Sequence, residues 1–339
     1  MDAYAAHLCG ILPHAAAEIN DGIDTVDTIY FGGGTPSLLG GARLARVLDT
    51  VTSVFPVEAD AEITAEANPD SMTEEFLHTA YAAGVNRLSM GIQSADDAEL
   101  KRLGRIHTFA QACNAYARAR QAGFANISVD LMYALPEQTL PQLLHSINAL
   151  LALEPEHLSC YGLTLEPHTP LGRQQPILPD EDAQADMYLA LCDRMKQAGF
   201  LHYEISNFAK PNYHSRHNSR YWQQRPYLGL GPGAHGDLFG MRYEIPSDLH
   251  AWLSGQAKPT AEDTDIDRAA EYIMLSLRTA QGWDSAVYQQ QFQEDPAAVE
   301  KVLSSLPIQY ISHTQSRWHL TDEGFLLSNA IIGMALDAR

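Results

Sequence analysis

Three consecutive glycines, Gly32–Gly34, form the stretch of this chain best suited to touch a ligand, with Thr35 directly after them. Glycine has no Cβ, so a ligand can approach the main-chain N–H and C=O groups directly. The apolar run Thr25–Phe31 predicts a buried strand before the glycines, and Leu38 begins an amphipathic helical pattern after them. A tight turn without a ligand would use the same residues, so the glycines gain meaning only from the side chains around them.

Polar side chains stand at the predicted ends of three later strands. Glu66 places a carboxylate at the second strand, Gln93 an amide at the third and Asp130 a carboxylate at the fourth. Carboxylates accept hydrogen bonds from ribose hydroxyls or an amino group, and an amide both donates and accepts. Alone, Glu66 would equally suit a helix N-terminus, and Asp130 an arginine partner. Together they predict one shared pocket, because the carboxyl ends of parallel strands converge.

A cation for this pocket comes from Lys101–His107, the densest basic stretch of an acidic chain. Lys101 and Arg102 suit a solvated helix end. Arg105 follows the helix-breaking Gly104, so we expect it to reach the pocket, where a guanidinium can hold a carboxylate through two parallel hydrogen bonds.

Repeated apolar runs, each followed by a helical pattern, predict the elements that position these residues. The predicted strands are Thr25–Phe31, Ala61–Ala67, Arg87–Gln93, Ile127–Met132, His157–Leu165 and Leu201–Ser206, after a first helix over 2–20 that ends at Asn20–Gly22. Alternating strands and helices predict βαβ units and an α/β fold with parallel strands. Six units favour a barrel-like or partial-barrel sheet.

The pattern changes after the sixth strand. A region rich in Gly, Pro, Asn and His extends to about residue 240, a polar linker is predicted at 241–265, and 266–339 form a small second domain. That domain has a helix at Ala269–Thr279 and a strand-to-helix step at Trp318–Thr321, typical of a winged-helix-like appendage. Only Lys301 is basic in Ala297–Ile311, which argues against DNA reading and favours a packing or lid module.

Composition restricts the partners. With 22 basic and 42 acidic residues the net charge is −20, which argues against nucleic acid and anionic membranes as main partners. Four widely spaced cysteines suit reduced thiols better than a disulfide framework. No signal peptide and no membrane-spanning run is visible, so we predict a cytoplasmic protein and leave peripheral membrane association open.

Seven motifs together resemble the radical S-adenosylmethionine proteins of the coproporphyrinogen oxidase-like group, and within it the heme chaperones. They are Gly32–Ser37, Glu66–Pro69, Asn86–Ser94, Leu103–His107, Asp130–Pro136, His217–Trp222 and Gly229–His235. The resemblance covers the chain from about residue 2 to its end. It implies a partial (β/α) TIM-like barrel over 1–240, with the small C-terminal winged-helix-like α+β appendage.

The resemblance also implies a site for S-adenosylmethionine. By position, its contacts fall on Gly33, Gly34 and Thr35 at the methionine end, on Glu66 and Gln93 toward the ribose, and on Arg105 and Asp130. Each is the residue type that the strand-end argument requires at that place.

The group further carries a first strand followed by a Cys-x-x-x-Cys-x-x-Cys loop, whose thiolates hold a [4Fe-4S] cluster. Neither is found in these 339 residues, where Cys9, Cys113, Cys160 and Cys192 lie too far apart to replace the loop. We expect a fragment or late start first, a degenerate paralogue without radical chemistry second, and a cluster built from distant cysteines last.

The implied function is heme binding and delivery to apoproteins, with His217 or His235 as the iron ligand, although either histidine could simply order its loop. One alternative is radical decarboxylation of coproporphyrinogen III propionates to vinyl groups, for which Arg216, Arg220 and Arg225 could form a basic patch. Another is a βα-barrel enzyme that binds phosphate at the glycines.

Overall fold

The computed structural model of the 339-residue chain describes residues 1–19, 25–263 and 265–339. Its largest sheet has seven strands in the order β1-β2-β3-β4-β5-β7-β6. They are β1 (Val26–Phe31), β2 (Val57–Ala67), β3 (Arg87–Gln93), β4 (Asn126–Tyr133), β5 (His157–Gly162), β6 (Leu201–Glu204) and β7 (Asn207–Ala209). Strands β1 to β4 pair in parallel, whereas β7 is antiparallel to both β5 and β6.

Two three-stranded antiparallel sheets follow, ordered β10-β9-β8 and β11-β13-β12. Their strands are β8 (His235–Leu238), β9 (Met241–Glu244), β10 (Thr260–Asp263), β11 (Trp283–Asp284), β12 (Ile311–Thr314) and β13 (Arg317–Leu320). The helices are α1 (Asp2–Ile19), α2 (Gly41–Val54), α3 (Glu74–Ala82), α4 (Asp97–Arg102), α5 (Phe109–Gln121), α6 (Leu140–Leu151), α7 (Pro170–Gln174), α8 (Glu181–Gln197), α9 (Arg216–Trp222), α10 (Leu249–Leu253), α11 (Arg268–Ser276), α12 (Ser285–Phe292), α13 (Ala297–Ser304), α14 (Asp322–Leu326) and α15 (Ser328–Asp337).

Apolar periodicity explains why these segments take these forms. In α2, Leu44, Val47 and Leu48 are buried at the spacing of one helix face. All seven residues of β3 are buried, as is typical of a parallel strand covered on both faces. Among the described helices, none combines the length and apolar character that a membrane crossing requires.

The register of the parallel strands aligns the polar residues of the candidate pocket. Glu66 on β2 lies opposite Ser89 on β3, which lies opposite Ser128 on β4. Side chains alternate between the two faces of a strand, so polar positions two residues apart share one face. Ser89 Oγ accordingly donates to Asp130 Oδ1 at 3.4 Å.

Several sequence predictions are confirmed. The strands predicted at Arg87–Gln93, Thr25–Phe31 and Ile127–Met132 form within a residue of those limits, and β13 leads into α14 as the strand-to-helix step predicts. Strand β1 is half-buried along its length, however, and not buried as predicted. The predicted helix end at Asn20–Gly22 lies outside the described residues.

Other predictions are wrong. Leu201–Ser206 is not a sixth parallel strand, because β6 ends at Glu204 and forms a hairpin with β7. Leu38 belongs to a short 3₁₀ helix over Pro36–Leu39, and α2 begins only at Gly41. Gly40, at φ +84°, separates the two, since that conformation is unfavourable for other residues.

Packing divides the chain into two compact units. The first comprises Met1–Leu131, Asn148–Glu156 and Pro226–Thr264, and the second comprises Met132–Ile147, His157–Arg225 and Asp265–Arg339. Residues 241–265, predicted as a linker, contain β9, α10 and β10, so the described part of this segment is folded. A domain division at 240 and 265 stays a prediction.

Candidate functional site

Glu66 connects the end of β2 to the glycine stretch. Its Oε1 accepts a hydrogen bond from the Tyr30 hydroxyl at 2.8 Å, and its Oε2 accepts one from the Gly33 N–H at 3.2 Å. Burial and the neighbouring Glu66 carboxylate both raise the pKa of Tyr30, so its hydroxyl remains a proton donor. The carboxylate therefore fixes the conformation of the loop between β1 and the 3₁₀ helix.

The three positions of the glycine stretch differ in what a side chain would meet there. A Cβ on Gly32 would lie 2.4 Å from Tyr30 Cε1 and 2.9 Å from Glu66 Oε1, so packing excludes a side chain there. Gly33 has φ +86°, which favours glycine. Around both Gly33 and Gly34, a Cβ would meet no atom within 4 Å. The space that a ligand can occupy therefore lies at the second and third glycines.

A second chain of polar contacts runs through Asn68, directly after β2. Asn68 Nδ2 donates to Thr35 Oγ1 at 3.2 Å, and an Arg105 guanidinium nitrogen donates to Asn68 Oδ1 at 3.4 Å. Burial lowers the pKa of Arg105, and the carboxylates of Asp130 and Asp70 partly offset that effect. Arg105 therefore stays charged beside the acids that it faces.

Gln93 and Asp130 complete the group. Gln93 ends β3 with φ +76°, an uncommon conformation for a residue with a side chain, and it is 6% exposed. A Cβ on Gly91 would lie 3.0 Å from Gln93 Nε2 and 3.1 Å from Asn68 Oδ1, which shows that both amides crowd this glycine. Glu66 and Asp130 lie near enough to Tyr30 to affect its pKa.

The first unit therefore contains all seven residues predicted for this site: Gly33, Gly34, Thr35, Glu66, Gln93, Arg105 and Asp130. Sequence reasoning missed Tyr30 and Asn68 as members of the hydrogen-bonded group. Tyr30 could have been found, because it precedes Gly32 by two residues and so faces the same side of β1 as the pocket. Asn68 could have been found as the polar residue between the strand end and Pro69.

The two histidines predicted for heme belong to different units. His217 lies in α9, where its Nε2 is 2.8 Å from the Tyr221 hydroxyl, and Ser215 caps this helix by accepting from the Asn218 N–H at 3.2 Å. His235 begins β8, with its side chain 52% exposed and its Nδ1 2.9 Å from Glu262 Oε1.

The residues present fit adenosylmethionine but not a [4Fe-4S] cluster. The open space at Gly33 lies beside the Glu66 carboxylate, and Asn68 links Thr35 to the Arg105 guanidinium. This part of the first unit therefore offers the acceptors and the cation that an amino acid joined to a nucleoside requires. A cluster needs three thiolates in one place. Cys9 and Cys113 lie in the first unit and Cys160 and Cys192 in the second, so neither unit supplies three.

Comparison with known proteins gives concordant results. A sequence profile of the radical SAM superfamily matches residues 14–150. The heme chaperone HemW of Bacillus subtilis is 37% identical over 322 residues, covering 91% of this chain and 85% of that protein. The heme chaperone HemW of Escherichia coli is 34% identical over 346 residues, covering 99% and 90%.

The structure of coproporphyrinogen III oxidase (HemN) of Escherichia coli superposes with a TM-score of 0.84 at 22% identity, covering 98% of this chain and 82% of that one. This similarity confirms the predicted α/β fold, an incomplete barrel with small C-terminal sheets. The fold and the profile define a protein of the radical S-adenosylmethionine superfamily, whose members use adenosylmethionine with a [4Fe-4S] cluster. Within it, the chain belongs to the heme chaperone HemW family.

Proposed function

We propose that this chain binds heme and delivers it to apoproteins in the cytoplasm, and that it binds S-adenosylmethionine at the strand-end site of its first unit. The observation that carries the proposal is the identity of 34–37% to proteins named heme chaperone HemW over at least 91% of the chain. The partners are heme or porphyrin and heme-accepting apoproteins.

For adenosylmethionine, Gly33, Gly34 and Thr35 would contact the methionine end. Glu66 and Gln93 would bind the ribose hydroxyls, and Arg105 with Asp130 would complete the pocket. The contacts of Glu66 support this assignment, because a carboxylate held by Tyr30 and Gly33 still has acceptor capacity for a hydroxyl. When bound together with a reduced cluster, adenosylmethionine would supply a 5′-deoxyadenosyl radical.

The same contacts disfavour a phosphate site at the glycines. The Gly33 N–H already donates to the Glu66 carboxylate. A phosphate there would face that negative charge at close range, which is repulsive. Both the occupied Gly33 donor and the adjacent carboxylate therefore disfavour the phosphate-binding alternative.

For heme, His235 and His217 offer different advantages. A histidine whose Nδ1 faces a carboxylate, as His235 faces Glu262, presents its Nε2 to iron in a fixed orientation. His217 lies on a helix that also carries Arg216 and Arg220, with Arg225 just beyond it, and guanidinium groups suit the heme propionates.

Heme titration of the full chain, followed by visible spectroscopy, tests this proposal. We expect a Soret band that shifts on binding, and its loss in either His217→Ala or His235→Ala identifies the ligand. His145→Ala, at an exposed position of α6, is the matched control and should bind normally. Absence of a heme spectrum in the wild type would contradict the chaperone function, and loss in neither variant would exclude both histidines.

Delivery is tested by mixing the heme-loaded chain with a heme-free acceptor and measuring heme on the separated proteins. Radical decarboxylation of coproporphyrinogen III, the alternative, is supported only by the shared fold with HemN at 22% identity. Conversion of propionates to vinyl groups by the chain with a reconstituted cluster would favour that alternative.

A further inference from the structure

A second group of metal-binding side chains lies in the second unit, apart from every residue assigned above. Cys192 on α8, His202 on β6 and Asp322 at the start of α14 each place one potential ligand atom within 4.8 Å of the other two. Cys192 and His202 lie on consecutive elements, whereas Asp322 follows 120 residues after His202, so the fold brings the carboxylate to the other two.

Packing fixes the imidazole of His202. Its ring stacks on Phe208 with centroids 4.2 Å apart and an interplanar angle of 15°, and Phe325 lies against it at 5.0 Å. His202 Nδ1 is 2.8 Å from Asp322 Oδ1. A ring held on two sides by aromatic side chains loses little entropy when it binds a ligand.

One buried polar atom of this group lacks a hydrogen-bond partner among the described residues. His202 Nε2 is fully buried and has no hydrogen-bond partner in the described part of the chain. Cys192 is 3% exposed, and the Tyr188 hydroxyl interacts with its thiol. A buried nitrogen without a partner is unfavourable, so a ligand that satisfies it would stabilise this group.

One thiol, one imidazole and one carboxylate form a characteristic donor set. Mg²⁺ and Ca²⁺ prefer oxygen ligands alone, and an iron-sulfur cluster needs several thiolates. Zn²⁺ accepts sulfur, nitrogen and oxygen ligands and takes three protein ligands with a fourth position open. We propose that Cys192, His202 and Asp322 form a Zn²⁺ site that joins α8, β6 and α14 within the second unit.

Cobalt provides the sharpest probe, because Co²⁺ replaces Zn²⁺ and a Co²⁺–thiolate bond gives a near-ultraviolet charge-transfer band. We expect the full chain, without heme, to bind one Co²⁺ with this band, and Zn²⁺ to displace it and raise the melting temperature. Cys192→Ser should abolish the band, and Asp322→Asn should weaken Co²⁺ binding at least about tenfold.

Cys160→Ser is the matched control, because Cys160 is 4% exposed and lies outside the group. It should keep the band. The other candidate group, His235 with Glu244 and Glu262, is exposed and has no thiol, so it cannot produce the band.

A wild type without a thiolate band, or a band that survives Cys192→Ser, would overturn the site. If Cys192→Ser does not fold, Asp322→Asn decides, since that side chain is 41% exposed and its replacement leaves the thiol intact. The measurement involves no heme, so its failure leaves the proposed function untouched.

Discussion

Two strands of the seven-stranded sheet carry a glutamate as their last or next-to-last residue, and the two glutamates have opposite surroundings. Glu66, near the end of parallel strand β2, is partly exposed and accepts hydrogen bonds from Tyr30 and Gly33. Glu204, the last residue of β6 in the antiparallel hairpin, is 1% exposed. Neither of its carboxylate oxygens makes a hydrogen bond with a described residue.

The difference shows what makes a strand-end carboxylate a candidate site. At β2 the chain continues through open space beside two glycines, so the carboxylate has donors on one side and room for a ligand on the other. At β6 the chain turns back at once into β7, which leaves no such space. Burial then raises the pKa of Glu204 to about 7, although the nearby Asn207 side chain and the N–H groups of Ser206 and Asn207 oppose the shift.

The largest effect should come from Glu204→Gln. The pKa of Glu204 rises from its usual 4.5 to about 7 on folding, so the folded chain holds this proton more tightly than the unfolded chain. Stability from this group is therefore present below pH 4.5 and is lost as the pH rises through 7. At pH 8 we expect the variant to be more stable by about 3 kcal/mol, since each pKa unit corresponds to about 1.36 kcal/mol.

Urea unfolding at pH 4.5 and pH 8 measures this difference. The two proteins should have similar free energies of unfolding at pH 4.5 and differ at pH 8. A variant that is less stable than the wild type at pH 8 would show that the Glu204 charge is compensated.

The corresponding substitution at the end of β2, Glu66→Gln, should change adenosylmethionine binding and not stability. Glu66→Gln exchanges one acceptor oxygen for an amide and removes the charge that the Tyr30 and Gly33 donors face. Hydrogen bonds to a charged group contribute about 1.5–3 kcal/mol, so we expect adenosylmethionine affinity to fall about 30-fold, without the gain in stability that Glu204→Gln produces. Isothermal titration calorimetry measures this, with Glu204→Gln as the matched control. Equal affinity in both variants would remove Glu66 from the site.

The predictability of the two regions differs for the same reason. The sequence predicts a shared pocket for Glu66, Gln93 and Asp130, because the periodicity of the parallel strands indicates where each strand ends. At Glu204, in contrast, the sequence pattern predicts a sixth parallel strand where the structure has a hairpin. Its turn occupies only Ile205 and Ser206, and neither residue type marks a turn strongly.

The residues between 207 and 263 were also hard to predict. Strands β8 and β9 contain only four residues each, too few for a reliable alternating pattern. The cluster of Cys192, His202 and Asp322 gave no signal, since its members are separated by up to 130 positions and only tertiary packing brings them together.

A comparison of two neighbouring glycines sharpens the role of the loop that Glu66 holds. Gly33→Ala forces a side chain into φ +86°, and we expect a loss of about 1–2 kcal/mol of stability together with weaker adenosylmethionine binding. Gly34→Ala is the matched control for stability only, because a Cβ there meets no atom within 4 Å and its φ is not positive, but that Cβ would enter the space proposed for adenosylmethionine. Thermal unfolding and calorimetric titration measure both effects. If Gly34→Ala is the more destabilising change, the loop does not depend on the conformation of Gly33.

The smallest effect tests the other region through the cap of α9. The Ser215 hydroxyl accepts from the Asn218 N–H, and Ser215 N–H donates to the Tyr203 hydroxyl, so this residue fixes where the helix that carries His217 begins. Replacing a serine cap with alanine costs about 1 kcal/mol, so Ser215→Ala should lower heme affinity about fivefold if His217 binds iron. Thr73→Ala removes the equivalent cap of α3 in the first unit and is the matched control. Heme titration of both variants decides: an unchanged affinity in Ser215→Ala would favour His235, whose orientation depends on Glu262 and not on this helix.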